Sequence, residues 1–205
     1  MRLFETIEPS ENLLPYDGAV HYFGTIIRHE DATRYLQYLL DEIAWQNDEA
    51  FIFGKHYITK RKVAWYADKP YTYRYSNKDR TALPWTDTLL RLKALAEQYT
   101  NATYNSCLLN LYHDGSEGMA WHSDDETDLK TNGSIASLSF GATRKFAFKH
   151  RKTKETVAIL LDTGSLLEMK DETQDHWVHR LPPTKKVHHP RVNLTFRQMV
   201  AGQSS

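Results

Sequence analysis

The sequence predicts an α+β fold that is mainly β: a double-sheet jelly roll, or double-stranded β-helix, preceded by a segment of mixed helices and strands. Three observations carry this. After Tyr104 the pattern becomes all strand, with eight short apolar or alternating runs separated by turn residues. Before it, two stretches repeat leucine at helical spacing. Finally, 205 residues with 40% apolar and 25% charged content suit one globular domain with a substantial core. Residues 1–205 therefore read as a single domain, with 105–200 as the jelly-roll core and 1–104 as an N-terminal extension.

Taken in order, Ala19 to Ile27 reads as a strand and Asp31 to Trp45 as a helix, its inner face carried by Leu36, Leu39, Leu40 and Ile43. Ala50 to Ile58, Val63 to Tyr66 and Tyr71 to Tyr75 are rich in aromatic and branched residues, punctuated by Gly54 and Pro70, and read as strands. A second helix starts near Pro84, where proline suits a first turn, and runs through Leu89, Leu92 and Leu95 towards Tyr99. The core strands follow at 105–112, 118–122, 134–141, 144–149, 155–161, 165–169, 175–179 and 191–200. The chain shows no internal repeat, low-complexity tract or linker.

Composition narrows the function classes. Cys107 is the single cysteine, so an internal disulfide and a cysteine-based zinc cluster are excluded, as expected in a reducing cytoplasm. The first residues carry acids and no apolar signal region, and no run reaches transmembrane length, so a cytoplasmic protein without a membrane partner is expected. Net charge is zero, but basic clusters at 55–62, 144–154 and 185–191 are offset by acidic ones at 5–17 and 41–49. Each basic cluster suits a phosphate-binding patch or a solvated loop about equally.

Chemistry concentrates in Trp121-His-Ser-Asp-Asp-Glu126. On an extended strand His122 and Asp124 leave by the same face, close enough to share one ion, and a histidine lies downstream at His176 or His179. Two histidines and a carboxylate are the ligand types of the facial triad that holds non-haem iron with open positions. About one His-x-Asp pair is expected by chance, so the surroundings decide. Along Arg191-Val-Asn-Leu-Thr-Phe-Arg197, Arg191, Asn193, Thr195 and Arg197 share one face and Val192, Leu194 and Phe196 the other. Arginines facing an interior are costly unless an anion pairs with them, which implies a small dianionic ligand such as a dicarboxylate. Asn110 and Tyr112 repeat the device on another strand. A zinc hydrolase would use a similar triad but has no need of this polar set.

Asn110-x-Tyr112, His122-x-Asp-Asp-Glu126, Ser137-Leu-Ser-Phe-Gly141, Gly164-Ser-Leu-Leu167, His176-Trp-Val-His179 and the run to Arg197 together resemble the AlkB family of iron(II)- and 2-oxoglutarate-dependent nucleic-acid dealkylases, nearest to the members that repair duplex DNA. The likeness covers about Ile52 to Val200 and does not reach residues 1–20. It implies iron(II), 2-oxoglutarate and O2 as cofactors, and makes part of 1–104 a nucleotide-recognition lid. His122, Asp124 and His179 would be the metal ligands, with His179 preferred over His176. Asn110, Tyr112, Arg191, Asn193, Thr195 and Arg197 would bind 2-oxoglutarate. Substrate contacts would come from Phe53, Arg61, Tyr73, Tyr75, Asp125 and Glu126, with aromatic walls holding a base taken from its stack. Asp125 is also the expected catalytic carboxylate, accepting from an exocyclic amino group, while Glu126 taken alone reads rather as a surface acid. The implied reaction is oxidative demethylation of 1-methyladenine and 3-methylcytosine in DNA, duplex or single-stranded, with RNA as a further substrate, by a monomeric enzyme. A hydroxylase of a protein or small molecule would keep the same metal and co-substrate residues.

The resemblance gives Phe53, with Ile52 beside it, the position of a wedge that enters the base stack. Phe53→Ala should then leave the melting temperature nearly unchanged and slow repair of methylated duplex DNA by roughly tenfold or more, because the wedge offsets an unstacking cost of a few kcal/mol. Methylated single strands should be spared. Equal loss on both, or the drop of roughly 3–5 kcal/mol typical of a core phenylalanine, would return Phe53 to the interior.

Overall fold

The computed structural model describes residues 11–52, 55–75 and 78–200, with 49–52, 55–57, 73–75 and 78–80 described by backbone alone. The first half holds β1 (Ala19–Thr25), α1 (His29–Glu42), β2 (Gln46–Ile52), β3 (Lys55–Ala67), β4 (Thr72–Tyr75), β5 (Lys78–Thr81) and α2 (Asp87–Thr100). The second holds β6 (Ser106–Tyr112), β7 (Met119–His122), β8 (Ile135–Gly141), β9 (Arg144–His150), β10 (Thr156–Leu161), β11 (Ser165–Lys170), α3 (Thr173–His176), β12 (Trp177–Leu181) and β13 (Arg191–Arg197).

The strands form a seven-stranded sheet in the order β1-β11-β8-β13-β6-β3-β2, a four-stranded sheet β10-β9-β12-β7, and a separate β4-β5 hairpin. Every strand pair is antiparallel. The two larger sheets pack face to face as a jelly roll, because alternation gives the seven-stranded sheet two buried faces. Its outer side presents Leu109, Leu111, Leu138, Phe140, Val192, Leu194 and Phe196 to Leu39 of α1 and Leu89 and Leu92 of α2. Its inner side contributes Tyr112, Ile135, Leu167 and Met169 to a second cluster with Phe146, Phe148, Trp177 and Leu181 of the smaller sheet. Polar residues fill the rest of that inner side, and they make the pocket described below.

Segment 1–104 does not stand apart, since β1, β2 and β3 extend the seven-stranded sheet. Several element boundaries differ from the expectation. Helix α1 starts two residues earlier and stops at Glu42, because Ile43 is already extended. The apolar run 50–58 is not one strand: β2 and β3 pair antiparallel with Ile52 opposite Lys55, so alternation continues on both arms of a hairpin. Strand β5, Lys-Asp-Arg-Thr, escapes pattern reading because it has no apolar face. Residues 173–176 form a helical turn before β12 rather than strand, and β13 ends at Arg197. Helix α2 starts as its sequence suggests, with Thr86 Oγ1 accepting from the Leu89 amide at 3.3 Å. No helix among the described residues is long and apolar enough to cross a membrane.

Two devices fix the loops around the inner pocket. Gly141 takes φ +87°, and a Cβ there would stand 2.3 Å from the Pro190 carbonyl oxygen, so β8 and the start of β13 approach only through glycine. Arg144, 1% exposed, sends its guanidinium among backbone carbonyls: Asp114 at 3.2 Å, Glu117 at 2.8 Å and Pro182 at 3.0 Å. Burial lowers its pKa, and the carbonyl oxygens supply the compensation. Arg144→Met would leave these acceptors without donors, and should cost about 3 kcal/mol, a fall of roughly 6–12 °C in melting temperature for a chain of this size. Thermal unfolding by circular dichroism checks this; a change within a degree would show that the cage contributes nothing.

Candidate metal centre and its polar pocket

At the edge of the four-stranded sheet, β7 pairs with β12 so that His122 lies opposite His179. Their ring centroids are 4.3 Å apart. The Ala120 carbonyl, 2.8 Å from His122 Nδ1, can only accept, so Nδ1 is the donor and Nε2 is the nitrogen offered to a cation. His179 is buried beside Phe146, with centroids 5.3 Å apart. Burial pushes its pKa well below the usual histidine range, and His122 adds to the effect, so the ring is neutral.

Asp124 completes the group, but not from the strand. Strand β7 ends at His122, so the sequence argument from a shared strand face gives the right neighbours by the wrong geometry. Asp124 is set by Gln174 of α3, whose Oε1 accepts from the Asp124 amide at 2.9 Å, and its carboxylate lies 4.0 Å from His179 Nε2. The ligand atoms of His122, Asp124 and His179 all fall within 4.8 Å of one another. Two imidazoles and one carboxylate converging from one side suit a non-haem iron(II) centre with open positions.

The register of β13 against β6 and β8 builds the pocket. Asn193 stands opposite Asn110 and Ser139, Thr195 opposite Ser137, and Arg191 opposite Tyr112. Arg191, 3% exposed, donates to Ser139 Oγ and Asn193 Oδ1, both at 2.9 Å. Asn193 Oδ1 also accepts from Ser137 at 2.9 Å, and its amide donates to Thr195 at 2.8 Å. Three guanidiniums surround the Tyr112 ring: Arg191 at 5.6 Å, Arg61 at 5.9 Å and Arg144 at 6.0 Å. Burial draws the Arg191 pKa down to about 10, with Tyr112 opposing and Arg144 assisting. No acid is paired with Arg191 among the described residues, and Arg191 Nε and Asn110 Oδ1 are buried without partners. A cation buried in this way demands an anion, so the residues fit a carboxylate ligand.

Arg197 differs, since it already donates to Glu126 at 3.0 Å. Glu126 is therefore an exposed acid with one oxygen engaged by a buried arginine. A cleft of about 290 Å³ runs past Asp124, Asp125, Glu126 and Gln174 to Arg197. Asp125 is exposed at its rim, accepting from Ser123 at 2.9 Å with Arg151 3.7 Å away. Arg61 is not a free surface cation: it pairs with Asp48 and points at Met119 Sδ. His176 lies outside the triad, and its ring stacks on His150. Tyr73 and Tyr75 occupy β4 opposite Arg80 and Lys78. Phe53 lies outside the described residues. Sequence reasoning missed Ser139, Gln174 and Arg151. The alternation of Ser137-Leu-Ser139-Phe foretells Ser139, Arg151 shows only as one of the basic residues of 144–154, and nothing near Gln174 marks it.

Comparisons with known proteins agree with this geometry. The model of the 2OG-Fe(II) oxygenase superfamily matches residues 19–197. DNA oxidative demethylase ALKBH2 of Mus musculus is 42% identical over 157 residues, covering 73% of this chain and 66% of the relative. Alpha-ketoglutarate-dependent dioxygenase alkB homolog 3 of Homo sapiens is 38% identical over 177 residues, covering 82% and 62%. The chain thus spans less than two thirds of the length of these curated relatives. A solved structure titled "The structure of OsALKBH1" shares the fold, with a TM-score of 0.60 at 15% identity over 87% of this chain and 97% of that one.

The unpaired Arg191 gives a direct test. At about a hundredfold excess over its Kd, a ligand stabilises a protein by about 2.7 kcal/mol, or roughly 5–11 °C in melting temperature here. A small dicarboxylate such as 2-oxoglutarate should raise the melting temperature of the wild type and leave Arg191→Leu unmoved in differential scanning fluorimetry. An equal rise in both would remove Arg191 from the anion site.

Proposed function

The chain belongs to the 2OG-Fe(II) oxygenase superfamily, and from that premise we propose that it is a DNA oxidative demethylase that removes N-alkyl groups from bases such as 1-methyladenine and 3-methylcytosine. The observation that carries the reading is the buried, acid-free Arg191 inside the same sheet pair as the His122, Asp124 and His179 cluster. A dicarboxylate paired there would reach towards a metal. The relatives' names, DNA oxidative demethylase among them, favour DNA over a protein or small molecule as substrate.

His122, Asp124 and His179 would hold iron(II). Arg191 would take the distal carboxylate of 2-oxoglutarate, with Asn110, Tyr112, Asn193 and Thr195 meeting its remaining oxygens and Arg197 closing the far side while Glu126 steadies it. Iron(II), 2-oxoglutarate and O2 together supply the oxidising power that hydroxylates the N-alkyl carbon, after which the hydroxyalkyl group leaves as an aldehyde. The remaining work falls to the chain. Phe146, beside His179, keeps water from that ligand. Gln174 fixes the loop that carries Asp124. Asp125, exposed at the rim, would accept from the exocyclic amino group of an adenine or cytosine. The β4-β5 hairpin with Tyr73 and Tyr75, together with Phe53, would hold the extruded base and the strand it left. Both duplex and single-stranded DNA are proposed substrates, with RNA as a further one.

Methylated oligonucleotides incubated with iron(II), 2-oxoglutarate and oxygen should lose the methyl mass while succinate accumulates, read by mass spectrometry; succinate without demethylation would sink the DNA reading. His122→Ala, Asp124→Ala and His179→Ala should each abolish turnover with the circular dichroism spectrum intact, since each removes one of only three protein ligands. His176→Ala should stay active. A dead His176→Ala beside an active His179→Ala would overturn the ligand assignment.

A further inference from the structure

The segment that carries Asp124 has no ladder of its own. Strand β7 ends at His122, and among the described residues no strand pairs with residues 123–125, so side chains from elsewhere must hold them. Gln174 is one holder, accepting from the Asp124 amide. Arg151, in the turn after β9, is the other.

The Arg151 guanidinium donates to Ser123 Oγ at 2.6 Å. Arginine has no lone pair to offer, so the Ser123 oxygen can only accept there, and its own proton goes to Asp125 Oδ2, 2.9 Å away. Arg151 also lies 3.7 Å from that carboxylate. The residues on both sides of Asp124 are thereby tied to one guanidinium. Arg151 meets the other holder as well: its backbone amide donates to the His176 carbonyl at 2.7 Å, and its guanidinium donates to the Gln174 carbonyl at 3.4 Å. The turn after β9 and α3 are therefore joined at Arg151, and between them they fix the loop from two directions. Arg151 itself touches none of the three ligand side chains in any of these contacts.

We propose that Arg151 is a positioning residue of the metal centre: through Ser123 and α3 it sets the Asp124 carboxylate, and with it the affinity for iron(II). The inference rests on His122, Asp124 and His179 being the ligands. Removing a hydrogen-bonding partner behind a metal ligand weakens the metal by about 10–100-fold, and a side chain that is 44% exposed belongs at the lower end. Sign separates this role from charge. A guanidinium repels a nearby cation, so charge alone predicts tighter metal binding once Arg151 is gone. Loss of a brace predicts weaker binding.

The test titrates the full chain, stripped with chelator, with iron(II) under anaerobic conditions against a chromophoric competitor. Arg151→Gln should weaken iron(II) by about tenfold, and Ser123→Ala, which cuts the relay and keeps the cation, should lose about as much. The double variant should lose no more than either alone, because both cut one path. Lys152→Gln, which removes an exposed charge from the same turn, should bind as the wild type does. The rise in melting temperature with 2-oxoglutarate should survive in Arg151→Gln, since Arg191 is untouched; its loss would reveal a loosened fold and overturn the proposal. Unchanged or tighter iron(II) in Arg151→Gln, or additive losses in the double variant, would overturn it too. A wild type that binds no iron(II) would sink the ligand assignment and the proposal with it.

Discussion

Strand β13 must satisfy two environments at once: Val192, Leu194 and Phe196 seal the layer under the helices, while Arg191, Asn193, Thr195 and Arg197 face the opposite sheet. Period-two alternation makes this possible, and it leaves the register no freedom. A slip of one residue would drive two guanidiniums into the apolar layer and expose the aromatic face to the pocket. The lateral bonds from Ser137 and Ser139 of β8 lock the polar side. The jelly roll and the polar pocket are therefore built by one strand.

The electrostatics follow from that strand. Arg61, Arg144 and Arg191 gather around Tyr112, yet their compensation differs. Arg61 has Asp48, Arg144 has backbone carbonyls, and Arg191 has only neutral side chains. The positive potential of the pocket is thus concentrated on one guanidinium, where a carboxylate gains most in a poorly screened interior. Arg197, chemically equivalent in sequence, is set apart by Glu126.

What the sequence made legible follows the reach of local periodicity. The polar faces of β6 and β13 could be read because alternation is a property of neighbours, and the same holds for the leucines of α1 and α2. His122 and Asp124 could be found for their residue types, but the end of β7 between them could not, because a side chain fifty positions away, Gln174, holds that loop. Glu126 reads as an ordinary surface acid until Arg197 comes beside it. The β2-β3 hairpin misled because both arms alternate in phase. Strand β5 has no apolar face to read. The choice of His179 over His176 needed a family pattern, since both are histidines near the start of one strand.

The order of the strands bears on how the molecule comes into being. Strand β13 lies between β8 and β6 in the middle of the larger sheet, yet it is the last of the described strands to leave the ribosome. Until it emerges, β6 and β8 each keep a long open edge, and apolar residues meant for the helices face solvent. Such edges template pairing with other chains. Any pause in synthesis before Arg191 prolongs this exposed state, the interval in which a chaperone has most to do.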